Sequence, residues 1–219
     1  MQITVFLRVL FITALLVLAT QSVNAASQPA SLPLNEVDDN VMAAVLETKV
    51  TRADVLPNEK EQKEIKEQAK ENFSEMLDYI IRVNASTKIY ELILDDFADK
   101  KGIELNEALV SKFSEKFANQ VPKETDGKSL EEIARKQVMQ YQTEKAMFEE
   151  FGGRVIFLQS NPQMPIDAYN ALLTRYRENG QLQIMDEALK ESFWDVFTPP
   201  FQYEIAPENV DFTQPWWLK

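Results

Sequence analysis

Between residues 59 and 82 the apolar positions Ile65, Ala69, Phe73, Met76, Leu77, Ile80 and Ile81 recur at helical intervals, with Glu, Lys and Gln between them. That spacing predicts one amphipathic helix. Similar spacing predicts a helix over 87–101 through Ile89, Leu92, Ile93 and Phe97, closed by Gly102. A third, capped by Asn106, runs to about 118 and carries Leu109, Val110, Phe113 and Phe117. After a loop at 120–128, Ser129 and Glu132 form an S-x-x-E box that opens a long helix to about 151. Leu130, Ala134, Val138, Tyr141, the stem of Lys145 and Phe148 fall on its inner face. Gly152-Gly153 interrupts it, and the apolar run 155–158 is either a short buried strand or a kinked continuation of the helix, the glycines favouring the break.

Pro165 stands at the start of a helix over 166–178, faced by Tyr169, Leu172, Leu173 and Tyr176 and ended by Asn179-Gly180. Asp186 caps a last helix to 197 that carries Leu189, Phe193, Trp194 and Phe197, and Pro199-Pro200 stops it. The remainder is expected to be an extended tail. The run 41–50 (VMAAVLETKV) fits a short strand and the first turns of a helix equally well, and Thr51 with Asp54 marks a helix start. Together these elements predict a mostly α fold: a helical module over 41–151, then C-terminal helices and an aromatic tail over 152–219.

Upstream, the pattern changes character. Arg8 is followed by the uncharged apolar run 9–19 and then by Val23 and Ala25, the layout of a signal peptide cleaved after Ala25. The run is too short for the ~20 residues of a membrane-spanning helix, so no stable span is expected after cleavage. Residues 26–40 hold two prolines and no apolar period, which predicts a flexible leader. Export without cysteines points to a periplasmic location.

Composition narrows the chemistry. The chain of 219 residues has 23 Lys plus Arg against 35 Asp plus Glu, a formal charge of -12 that repels nucleic-acid backbones. With no His and no Cys, it lacks imidazole bases, thiol nucleophiles and the ligands that zinc and copper prefer, so no cofactor or metal is expected. The carboxylate pairs Asp38-Asp39, Asp95-Asp96, Glu131-Glu132 and Glu149-Glu150 are the available acid/base material. Adjacent helix residues diverge by about 100 degrees, so these pairs fit solvated helix edges better than a catalytic site. A calcium loop around Gly102 fails on register, since Phe97 and Ala108 would occupy its first and last ligand positions. Gly152-Gly153 lies in no phosphate-binding motif and no G-x-S-x-G is present, so enzymatic activity is not expected.

The aromatic residues are the remaining signal. Of the chain's aromatic side chains, 8 fall in the last 27 residues: Phe193, Trp194, Phe197, Phe201, Tyr203, Phe212, Trp216 and Trp217. They either fasten the tail to the body or line a surface for apolar polypeptide. On the second alternative the candidate binding residues are Phe73, Met76, Phe148, Phe201, Tyr203, Trp216 and Trp217, with methionine and aromatic side chains supplying an adaptable surface.

The run VMAAVLETKVTRADV at 41–55 resembles the opening of the N-terminal helical chaperone module of SurA and parvulin-type periplasmic foldases. Val50, Thr51, Arg52, Ala53 and Asp54 match the family's helix start, while Leu46-Glu47-Thr48 stands where the family has an Asn-Gly turn. A second match is KIYELILDDFADKKGIELNEALV followed by GKSLEE, with the family's order of helix, Lys-Lys-Gly-Ile stop and capped helix. The resemblance spans residues 41–151, about half the chain. No isomerase domain is expected, because that active site uses histidines. The resemblance implies a holdase-like or assembly-factor role toward unfolded or exported polypeptides. The alternatives are an accessory subunit that docks one partner through its aromatic tail, and a hydrolase of envelope glycans with two converging carboxylates.

Overall fold

The structure, a computed structural model, describes residues 40–119, 124–125 and 128–219. The expected signal peptide, nearly all of the leader and most of the loop at 120–128 lie outside the described residues. The fold is mostly α with small antiparallel sheets. In chain order the elements are β1 (Val41–Val45), β2 (Thr48–Thr51), α1 (Arg52–Val55), α2 (Glu59–Ala69), α3 (Phe73–Lys101), α4 (Glu107–Phe117), β3 (Glu124–Thr125) and β4 (Lys128–Ser129). They continue as α5 (Leu130–Phe151), β5 (Val155–Leu158), β6 (Asn161–Met164), α6 (Ile166–Glu178), β7 (Leu182–Ile184), α7 (Glu187–Asp195) and β8 (Glu204–Ile205). Short 3-10 turns occupy Lys70–Asn72, Pro207–Asn209 and Trp216–Leu218.

Two compact units emerge, and neither follows the expected boundary at 151/152. One comprises residues 40–93 with Tyr176–Val196; the other comprises Leu94–Arg175 with Phe197–Lys219. The division falls inside α3 and α6.

In the first unit, the ambiguous run 41–50 is a hairpin. β1 and β2 pair antiparallel around Leu46-Glu47, with Val45 opposite Thr48, and β7 pairs with the other edge of β1, Ala43 opposite Ile184. Leu46 takes φ +54, the left-handed conformation for which an Asn-Gly turn would be better suited, and its N–H donates to Gln181 O at 2.7 Å. Thr51 then caps α1 in a reciprocal box with Asp54. Met42, Ala43, Val45 and Val50 are buried in this unit, as are Ile81, Ile89 and Ile93 of α3 and Leu189 and Phe193 of α7. Tyr90 stacks on Phe193 at 5.0 Å between ring centres.

The long charged helix departs from expectation twice. The stripe predicted as one helix over 59–82 is broken at Lys70–Asn72, where Lys70 adopts φ +51. The interruption expected between 82 and 87 is absent, and α3 runs unbroken from Phe73 to Lys101. Burial of Ala85 and Ser86 holds this stretch helical, and Asn84 donates its Nδ2 to Val55 O at 2.9 Å.

In the second unit, Gly102 at φ +63 ends α3 and Asn106 caps α4 through Leu109 N–H, as the residue types predict. Ser129 and Glu132 form the reciprocal box at the start of α5. α4 and α5 pack through Val110, Phe113, Ala134 and Val138, and Trp217 of the tail completes this cluster. Gly152 at φ +62 terminates α5, and β5 follows, so of the two alternatives for 155–158 the strand is the one that forms. Gly153 has a separate reason to lack a side chain, since a Cβ there would lie 2.4 Å from Cβ of Asp167. That close approach lets the Asp167 carboxylate take Arg154 Nε at 2.8 Å and Nη2 at 2.9 Å. β5 lies between β6 and β8 in a second three-stranded sheet, to which the supposedly unstructured tail contributes β8.

Candidate functional site

Two places in the second unit combine unusual exposure or burial with chemistry. The first lies on the sheet of β6, β5 and β8. Val155 is opposite Ile205 and Ile156 opposite Glu204, and Phe157 N–H donates to Tyr203 O at 2.8 Å, so Phe157 and Tyr203 are cross-strand neighbours. Both side chains face water, at 48% and 58% exposure. Phe201, two residues before Tyr203, is half-buried beneath the Arg154 guanidinium, 4.8 Å from its ring centre. Phe157 joins the surface without having been foreseen, because its run signalled a buried strand and only the pairing of β5 with β8 decides which side chain points outward.

The second place is a cavity lined by Gln137, Gln140, Tyr141 and Glu144 of α5, Asn161 and Gln163 of β6, and Phe212, Trp216 and Trp217 of the tail. Its floor is Glu144, 4% exposed. A single oxygen of that carboxyl, Oε1, accepts three hydrogen bonds: from Gln140 Nε2 at 2.9 Å, Asn161 Nδ2 at 2.7 Å and the Tyr169 hydroxyl at 2.7 Å. Burial pushes the Glu144 carboxyl up to about 7, against the opposing pull of those three donors. Among the described residues that line the cavity there is no cation. The space is small and admits about one water-sized group.

The tail is held over this cavity by specific bonds. The Tyr141 hydroxyl donates to Phe212 O at 2.8 Å, and the Gln163 side-chain amide makes a reciprocal pair with the backbone of Asp211, at 3.0 and 2.9 Å. Asp211 accepts from Thr213 N–H at 2.8 Å and from Lys219 Nζ, and the hydrogen bonds from Thr213 lower its carboxyl to about 2.

The expected binding residues therefore separate. Trp217, at 1% exposure, is a core side chain in edge-on contact with Phe113 and Tyr141, so its role as an exposed binding residue is corrected by its packing. Trp216 is half-buried against Phe117 and lines the cavity, and Phe148 stacks on Phe212 at 4.8 Å. Tyr203 is open to solvent. Phe73 and Met76 belong to the first unit, where Phe73 is half-buried under Lys66 and Met76 is 43% exposed. Lys145 was expected to lie along the inner face of α5, but it is 40% exposed and pairs with Glu149, and its neighbour Glu144 takes the inward position.

Among the described residues no group of three or more His, Cys, Asp or Glu is placed to hold a metal ion, and no helix is long and apolar enough to cross a membrane. No family model, curated protein or solved structure matches the chain.

Proposed function

We propose that the protein is an exported polypeptide-binding protein, a holdase-like chaperone or assembly factor for envelope proteins, which performs no covalent chemistry. The observation that carries this reading is the pair Phe157 and Tyr203, adjacent aromatic side chains that remain 48% and 58% exposed on a sheet whose neighbouring strands are ordered. Exposed aromatic pairs of this kind bind apolar segments by burial, while a charge of -12 keeps the complex in solution. The motifs at 41–55 and 88–110 that resemble the SurA module point to the same class of client.

Aggregation of an unfolded outer-membrane protein, followed by light scattering with increasing amounts of the purified protein, tests the proposal. Suppression near equimolar ratio, beyond that of an inert acidic protein and lost in the double variant Phe157→Ser/Tyr203→Ser, is expected. No suppression beyond the control overturns the reading.

A further inference from the structure

Most of the side-chain amides that line the cavity at Glu144 place their N–H groups within the protein. Gln140 and Asn161 donate to the Glu144 carboxyl, and the Gln163 amide pairs in both directions with the backbone of Asp211. One donor in the lining stands apart. The indole Nε1 of Trp217 is buried and meets no hydrogen-bond acceptor among the described residues. Its ring touches Phe113 and Tyr141 edge-on, at 5.2 and 5.8 Å between centres. A buried N–H without an acceptor carries the full cost of its desolvation, which is why such donors in folded proteins are paired with a protein group or with ordered water.

Size and polarity together select what supplies that acceptor. Space for about one water-sized group leaves no room for a side chain or an organic ligand. A cation has no lone pair to offer an N–H, and an anion would lie against the Glu144 carboxyl. Water has both capacities: lone pairs for the indole proton, and protons of its own for the acceptor oxygens in the same lining. The Glu144 carboxyl is one such acceptor, and Asn161 Oδ1 is another, since the Nδ2 of that residue is committed to Glu144. Four amide side chains and a carboxyl make the site polar, unlike the apolar cavities that stay dry.

We propose that this cavity is the binding site of one structural water, which accepts the Trp217 Nε1 proton and donates to the Glu144 carboxyl. That water joins the tail to three elements at once, because Gln140 of α5, Asn161 of β6 and the Tyr169 hydroxyl of α6 already converge on Glu144. The tail is thereby fastened through a bridged polar contact as well as through the packing of its indole against α4 and α5. The site stands whether or not the chain binds polypeptides.

The test uses the full chain with nitrogen-15 in the indoles of its three tryptophans. Trp194→Phe and Trp216→Phe assign the remaining indole signal to Trp217. In a rotating-frame NMR experiment the Trp217 Nε1 proton is expected to show a cross-peak at the water frequency, with the sign of direct contact to a long-lived bound water and not that of proton exchange. Replacing Trp217 by benzothienylalanine keeps the shape of the ring and removes the N–H. That chain is expected to fold and to unfold at a lower urea concentration than the parent with the same slope, because the water has lost a partner. Absence of the direct-contact cross-peak overturns the inference, and an upfield shift of the same proton would then place the N–H over the face of the Phe113 or Tyr141 ring. A benzothienylalanine chain with the parent's urea midpoint overturns it as well, since the N–H then makes no bond whose loss is felt.

Discussion

Glu144 shows how one residue can set the pH response of a whole unit. Its carboxyl titrates near 4.5 when exposed and is raised to about 7 in the fold. Between those values the folded chain holds a proton that the unfolded chain has released, so stability falls as pH rises through this window and levels off above it. The shift corresponds to roughly 3 kcal/mol at most between pH 4.5 and pH 7. In Glu144→Gln the amide oxygen accepts from Gln140, Asn161 and Tyr169 and cannot ionise. Urea denaturation at pH 5 and pH 8 should therefore show the variant gaining on the parent as pH rises. A parent that is equally stable at both pH values would refute the burial argument. The residue escaped the sequence pattern for a simple reason: steps of three or four from Tyr141 reach Glu144 as readily as Lys145. A lysine with its long stem is the cheaper residue to place along an inner face, so the pattern favours it. Only the three donors arriving from α5, β6 and α6 decide for the carboxylate.

At the scale of elements, what could be read from the chain was what depends on neighbours in sequence. Thr51, Asn106, Ser129 and Asp186 all cap helices where their side-chain oxygens predict, because a cap is satisfied within three residues. β7 and β8 were invisible because a three-residue and a two-residue run become strands only by pairing with β1 and β5. The break at Lys70 was also hidden, since no Gly or Pro marks it and the apolar stripe continues from Ala69 to Phe73. Lys70 sits at φ +51 and ψ -113, its N–H donating to Lys66 O, with its side chain exposed. An L side chain is strained there and glycine is not. Lys70→Gly should raise stability by about 1 kcal/mol, seen as a higher urea midpoint at unchanged slope. Lys70→Val, which cannot relax at positive φ, should lower it. A lower midpoint for the glycine variant would mean that the flexibility it adds to the unfolded chain outweighs the strain it removes.

For the molecule as a whole, the aromatic tail decides between two kinds of protein, one with a detachable arm and one whose last residues complete its core. Within the unit formed by Leu94–Arg175 and Phe197–Lys219, Trp217 is among the largest fully buried side chains and touches both α4 and α5 through Phe113 and Tyr141. Trp217→Ala removes an indole from packed surroundings and should cost about 3–5 kcal/mol. Truncation after Ile205 removes in addition the Asp211–Gln163 pair and the Phe212–Tyr141 bond, so this unit should lose its cooperative melt. Tyr203→Ser, two residues before that cut, changes a side chain that is 58% exposed and should move the melting temperature by no more than about 1–2 °C. Calorimetry on the three variants separates the cases. If the truncated chain melts like the parent, the tail is an arm and Trp216-Trp217 returns as a docking element for a fixed partner. If only the tryptophan and truncation variants collapse, the last residues complete the core of their unit around Trp217, and the exposed Phe157 and Tyr203 are left as the surface whose loss does not unfold it.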